Sequence, residues 1–223
     1  MKPYLICHMA ASLDGRIDCA MTEVIGGDEY YDALEQLGSK TEINGKVTAQ
    51  MHFALLKPFK ADDTTPFGKT GWSVAEKAEG YRVILDTHGT LQYDGKYIGS
   101  TPVLVIVSEA APQAYLDYLD GKGISWIAVG KEQINLVKAM EILKEVFGIS
   151  RAIVTGGGHI NGAFLQSGLL DEISMQFNPG IDGRKGMTAA FDGINDPDFG
   201  PVKLVLTHVK QYDNGTVEMR YKV

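Results

Sequence analysis

Cysteine is scarce: Cys7 and Cys19 are the only two in 223 residues, and they form no CxxC pair. That count excludes a zinc knuckle or a dithiol redox motif and is expected of reduced thiols in a cytoplasmic protein. No apolar run approaches the roughly 18 residues a membrane helix needs, so a membrane is not an expected partner. The opening stretch, Met1 to Ala11, has one lysine and no small-residue cleavage pattern. It reads as a first core strand rather than a leader. His8, His52, His159 and His208 lack HxxxH or HxH spacing, and no metal site is expected. The GxSxG elbow of serine hydrolases does not occur. An excess of positive charge is also missing. Lys and Arg number 21 against 28 Asp and Glu, a net charge of -7. That balance disfavours nucleic acid as a partner but leaves room for an anionic small molecule at a locally positive site.

What is present is ordinary for a globular chain: 44% hydrophobic and 22% charged residues. The length suits one well-buried core, and a single domain over residues 1–223 is expected. Tyr4–Ala10 reads as a buried strand ending at the Asp14-Gly15 turn. Helices are expected over Asp28–Leu37, Thr48–Leu56 (stopped by Pro58), Pro112–Leu119, Ile134–Phe147 and Ile160–Leu170. Strands are expected at Tyr81–Leu85, Val103–Val107, Ser125–Val129, Ala152–Val154 and Ile173–Phe177. The β-branched runs among these have the pattern of strands buried on both faces. Lys60–Gly80 reads as a long surface loop containing Trp72. Lys203–Lys210 and Thr216–Lys222 flank Asp213-Asn214-Gly215, a strong hairpin signal. Alternating strands and helices imply an α/β fold with a mainly parallel sheet, and the final hairpin an antiparallel edge.

Four segments carry residues suited to chemistry. In Thr155-Gly156-Gly157-Gly158-His159-Ile160, three glycines follow a strand and open a helix, where free amides and a partial positive charge favour a pyrophosphate. A tight turn with no ligand would use the same residues, and the segment is not the GxGxxG fingerprint. In Gly45-Lys46-Val47-Thr48, a lysine and a hydroxyl stand before a helix, suited to a phosphate or to plain capping. Leu85-Asp86-Thr87-His88 ends a strand, where α/β sheets gather ligands. Ala10-Ala11-Ser12-Leu13-Asp14-Gly15-Arg16-Ile17-Asp18 ends the first strand. Asp14 there could bind a substrate hydroxyl or hold the loop as an Asx turn, and spacing alone favours the turn.

Together with Gly168-Leu169-Leu170-Asp171-Glu172-Ile173 and Asn178-Pro179-Gly180-Ile181-Asp182-Gly183, these segments resemble the reductase domain of the bifunctional riboflavin-biosynthesis deaminase-reductase. More distantly they are similar to dihydrofolate reductase. The resemblance covers nearly the whole chain, and no HxE…PCxxC deaminase signature is present. It implies a dihydrofolate-reductase-like three-layer α/β sandwich, an NADP-dependent oxidoreductase and, commonly, a homodimer. The expected activity is that of 5-amino-6-(5-phosphoribosylamino)uracil reductase, with NADPH as cofactor. By position, nicotinamide contacts fall on Ala10, Ile17 and Asp18. Phosphate contacts fall on Gly45, Lys46, Val47 and Thr48, and on Gly156, Gly157, Gly158, His159 and Ile160. The 2′-phosphate end lies near Lys46, Thr87 and His88. Ser12, Asp14, His52, Thr155 and Gln176 would line the substrate, with Asp14 orienting it and the proton donor unassigned.

The chain departs from the family pattern at three places. Thr155 stands where a glutamate is usual, Leu37-Gly38-Ser39-Lys40 replaces an arginine-containing stretch, and Glu42-Ile43-Asn44 replaces an Asp-Ala pair. These departures bear on the substrate more than on the cofactor. A reductase of another small carbonyl or imine, or a nucleotide-binding domain without turnover, are the rival expectations.

Overall fold

The computed structural model describes residues 1–17 and 23–223; Asp18 and Cys19 lie outside the described residues. In chain order the elements begin with β1 (Tyr4–Ser12), α1 (Glu29–Gln36), β2 (Glu42–Gly45), α2 (Lys46–His52), β3 (Gly71–Ser73) and β4 (Arg82–Leu85). There follow β5 (Tyr97–Ile98), β6 (Thr101–Val107), α3 (Gln113–Gly121), β7 (Ser125–Ala128) and α4 (Leu136–Glu145). The chain ends with β8 (Arg151–Gly156), α5 (Gly158–Gln166), β9 (Glu172–Asn178), β10 (Val205–Gln211) and β11 (Val217–Lys222). It divides into two compact units, Met1–Pro3 with Lys40–Ala152, and Tyr4–Ser39 with Ile153–Val223. Among the described residues, no helix is long and apolar enough to cross a membrane.

In the first unit the strand order is β2-β4-β6-β7-β3. The first four are mutually parallel and β3 is antiparallel to β7. β6 explains the pattern seen in the sequence. Val103, Val105 and Val107 pack with Tyr115, Leu116 and Leu119 of α3, while the alternate residues Leu104 and Ile106 are also fully buried. Each such side chain contributes roughly 1.5–3 kcal/mol by leaving water. α4 starts where Asn135 accepts the amide of Lys138 at 3.0 Å, and buries Ala139, Met140, Ile142 and Leu143 along one face.

Two expectations for this unit need correction. The 60–80 stretch is not all loop, because Trp72 lies in β3 opposite Ile127. The helix expected over 48–56 starts at Lys46 and stops at His52, well before Pro58. Phe53 and Ala54 pack on the core cluster and the amide of Leu55 donates to Gln92 O at 2.8 Å, so tertiary contacts end the helix before proline can.

In the second unit the order is β10-β11-β9-β1-β8. β1 and β9 are parallel, and β11 and β10 add antiparallel strands, the hairpin expected at the C-terminus. α5 begins at Gly158, two residues earlier than its apolar pattern suggested, and ends at Gln166.

The two faces of β9 differ in kind. Ile173, Met175 and Phe177 line an apolar cavity of about 430 Å³ with Met219, Tyr221 and Leu165. Ser174, Gln176 and Asn178 alternate with them and are all buried.

Candidate active site

The site residues of the second unit gather at the carboxyl ends of its strands. At the end of β1 the chain turns sharply, with the amide of Gly15 donating to Ser12 O at 2.9 Å. The buried Ser12 hydroxyl accepts the Arg16 amide at 3.1 Å and donates to Asp14 Oδ1 at 2.5 Å. Asp14 also accepts the amides of Asp182 at 3.1 Å and Gly183 at 3.0 Å. The Ser12 hydroxyl and these two amides hold its carboxyl down at about 2. Asp14 therefore stays ionised near neutrality: it can accept a hydrogen bond from a substrate hydroxyl but has no proton to give. The alternatives left open by its spacing are both compatible with this geometry, and the turn role is visible in the contacts.

Ala10 is paired in register with Gln176, and Gln176 with Glu218, across β1, β9 and β11. One rung earlier, His8, Ser174 and Arg220 are aligned in the same way. His8, Ser174, Gln176 and Glu218 make these rungs a ladder of buried polar groups. Gln176 Nε2 donates to Glu29 O at 2.8 Å, and His8 Nε2 lies 3.1 Å from Tyr30 O with the two rings stacked at 4.6 Å. A carbonyl only accepts, so Nε2 carries the proton; Nδ1 lies 3.0 Å from the Ser174 hydroxyl, which also lies 3.3 Å from Glu218 Oε1. Burial pushes the imidazole down to about 4, so the ring is neutral. Glu218 has no exposure, and burial alone would raise its carboxyl. Arg220, 2.5 Å away, and the Tyr212 hydroxyl at 2.8 Å overrule that and hold it below the usual glutamate value.

At the end of β8, Thr155 is half-buried and Gly156 buried. Gly157 caps α5 with φ 84° and ψ 136°, backbone that is essentially restricted to glycine. The helix leaves its first amides outside the helical ladder, facing this turn. Gly158 is occupied differently: a Cβ there would lie 2.1 Å from Ala189 O. Its missing side chain makes room for the chain itself, so the glycine triplet serves two purposes. His159 is exposed and Ile160 half-buried. The amide of Ile17 donates to Thr188 O at 3.0 Å.

The first unit brings its own candidates together. Gly45 pairs with Leu85 in adjacent parallel strands, so Lys46 to Thr48 and Thr87–His88 leave the sheet at the same carboxyl end. Gly45 caps α2 with extended backbone, φ -80° and ψ 165°, a conformation open to any residue. Lys46, Val47 and His88 are exposed, and Thr48 and Thr87 half-buried. His52 is the exposed last residue of α2. The 87–88 loop hangs on Asp86, a residue whose place in the Leu85-Asp86-Thr87-His88 motif carries no sign of this role. Its fully buried carboxylate accepts the amides of Thr90 at 2.6 Å and Leu91 at 2.7 Å and the Tyr115 hydroxyl at 3.2 Å.

A family model described as the RibD C-terminal domain matches residues 3–218. The chain is 26% identical over 199 residues to the 2,5-diamino-6-ribosylamino-4(3H)-pyrimidinone 5′-phosphate reductase of Methanothermobacter thermautotrophicus, covering 86% of this chain and 85% of that protein. The reductase of the same name from Archaeoglobus fulgidus is also 26% identical, over 86% of this chain and 88% of its own. Among solved structures, a pyrimidine reductase-like protein from Corynebacterium diphtheriae superposes with a TM-score of 0.74 at 19% identity, over 99% of this chain and 92% of that one. That likeness is one of fold: mixed α/β, mainly parallel, with antiparallel C-terminal strands.

Proposed function

Because the chain belongs to the RibD C-terminal domain family, the reductases of riboflavin biosynthesis, we propose that it reduces the ribosylamino group of a pyrimidine 5′-phosphate to a ribityl group with NADPH. The observation that carries this reading is the family match across residues 3–218, with Ser12, Gln176 and the Gly157 turn all at the carboxyl ends of strands in the second unit. The substrate is of the kind named for the archaeal relatives, 2,5-diamino-6-ribosylamino-4(3H)-pyrimidinone 5′-phosphate. Its deaminated counterpart, 5-amino-6-(5-phosphoribosylamino)uracil, is the other candidate.

NADPH supplies the hydride; the protein positions and shields the reacting carbon. The residues present fit that cofactor. In the second unit the side-chain-free Gly157 turn and the first amides of α5 would take the diphosphate, and Ala10 and Ile17 would border the nicotinamide end. In the first unit Lys46, Thr48, Thr87 and His88 share one strand end, a cation and hydroxyls suited to the 2′-phosphate. In the second unit Ser12, Asp14 and Thr155 are assigned to the substrate, while Gln176, buried with its amide donating to Glu29 O, backs that strand end. Asp14 receives a substrate hydroxyl, and the proton comes from another group or from water.

The resemblance to the riboflavin reductases, which usually carry glutamate where this chain has the neutral Thr155, favours the alternative of a different small imine or carbonyl substrate. A homodimer in the cytoplasm is the expected setting. The exposed β10, with Val205, Leu206 and Val209, supports such an assembly.

The test is NADPH oxidation by the purified chain on both pyrimidine phosphates, with mass spectrometry of the product. Turnover to a ribityl compound supports the reading. NADPH binding without turnover on either would favour the alternative substrate or a binding domain, and no NADPH binding would overturn all of these readings.

A further inference from the structure

Residues 187–193 form a strap whose role nothing above explains. On one side it pairs with the turn after β1. Arg16 bridges Ala189 in antiparallel fashion, Ala190 N donates to Gly15 O at 3.1 Å, and Ile17 N donates to Thr188 O at 3.0 Å. Arg16 Nη1 adds a bond to Met187 O at 2.7 Å. On the other side it lies against α5. Asp192 N donates to Gly158 O at 3.0 Å, and Asn161 Nδ2 donates to Ala190 O at 2.7 Å.

The helix face toward the strap is built for close approach. Gly158 and Gly162 lie one turn apart, and a Cβ on either would come within 2.1 Å of strap carbonyls, those of Ala189 and Asp192. Gly193 is packed by the ring of His159, 2.4 Å from where its Cβ would be. Between the two glycines, Asn161 is fully buried. A leucine would fill the same space, so packing alone does not call for an amide. Its donor meets the carbonyl of Ala190, which is itself nearly buried and would otherwise lack this partner.

We infer that Asn161 is a positioning residue for the reduction: it fixes the strap, and through the strap the Ser12–Ile17 turn, against the helix start at Gly157. The inference rests on the reductase reading above. The strap joins the turn assigned to the nicotinamide and substrate to the helix start assigned to the diphosphate, all within one unit. Rates of hydride transfer fall steeply when donor and acceptor drift, whereas affinity for the diphosphate depends on amides that stay in place.

The test compares Asn161→Leu, Arg16→Met and the double variant with wild type. For Asn161→Leu the expected result is a kcat lower by on the order of tenfold, a Kd for NADP⁺ within about threefold of wild type, and faster hydrogen exchange at the amides of Ile17 and Ala190. Arg16→Met removes the side-chain bond from the turn to the strap and should act in the same direction, and the double variant should lose less than the product of the single losses. Should Asn161→Leu fail to fold, Arg16→Met carries the same kcat-against-Kd comparison alone. Wild-type kcat, a loss confined to Kd, or multiplicative losses would overturn the inference. Wild type is the separate control: if it does not turn over, the reductase reading fails, whatever the variants do.

Discussion

The two units of this chain hold their site residues by different means. In the first, a mainly apolar core of valines, leucines and tyrosines, with the buried Asp86 carboxylate tying the 87–88 loop, supports strand ends from which Lys46 and His88 project into water. In the second, the strands near the site are backed by buried polar groups, His8, Ser174, Gln176 and Glu218, and the critical turn needs a backbone conformation that only glycine adopts easily. Exposed residues on an apolar scaffold can be exchanged with small local effects. Residues locked into a polar, conformationally restricted frame cannot, so perturbations in the second unit should be larger and should report on pH.

The largest expected effect is at Gly157. Valine there would be forced into φ 84°, costing about 1–3 kcal/mol of stability, and would place a side chain in the turn. NADPH affinity should fall by on the order of a hundredfold, about 2.7 kcal/mol, in a titration of the folded variant. Unchanged affinity would make the glycine turn purely structural and erase the contrast between the units.

Next comes His8. Its folded value near 4 lies below the unfolded 6.5, so the unfolded chain binds more protons between these limits and stability falls as pH drops through that window. The full loss is about 3 kcal/mol. Above pH 4.5 the slope belongs to His8 rather than to Glu218, whose depressed carboxyl adds its own loss only lower down. His8→Phe should flatten the slope in denaturant titrations between pH 6.5 and 4.5. A slope that survives the substitution would place the pH sensitivity elsewhere.

Asp14→Asn should have a smaller effect. It weakens the turn's three acceptor bonds and should lower kcat about tenfold while leaving NADPH binding alone. The smallest effect belongs to the first unit. Lys46→Ala should weaken NADPH about fivefold and NADH hardly at all, because an exposed cation on a phosphate contributes little. Equal losses for both cofactors would mean that Lys46 does not read the 2′-phosphate.

The sequence made the long, periodic elements legible. Val103–Val107, the helix around Met140 and the Asp213-Asn214-Gly215 hairpin stand where their patterns put them. Short strands escaped, because the four residues of β2 and the three of β3 are set by their neighbours in the sheet rather than by any period of their own. The glycine triplet was legible as a turn but not in its division of labour. Gly158 opens the helix because the strap needs its space, and the only trace of that strap in the sequence is the four-residue spacing of Gly158 and Gly162. The ladder left a fainter signal, the alternation of Ser174, Gln176 and Asn178 with apolar residues. Alternation alone marks such residues as solvent-facing; the segment at Glu29–Tyr30 covers Gln176 and His8, and Thr216 meets Asn178.

The most direct test of the account is to give the purified chain NADPH and 2,5-diamino-6-ribosylamino-4(3H)-pyrimidinone 5′-phosphate and follow both cofactor oxidation and the mass of the pyrimidine. One ribityl product per NADPH consumed, abolished by Gly157→Val, is the predicted result. A chain that leaves both compounds unchanged, or oxidises NADPH without altering the pyrimidine, would contradict it.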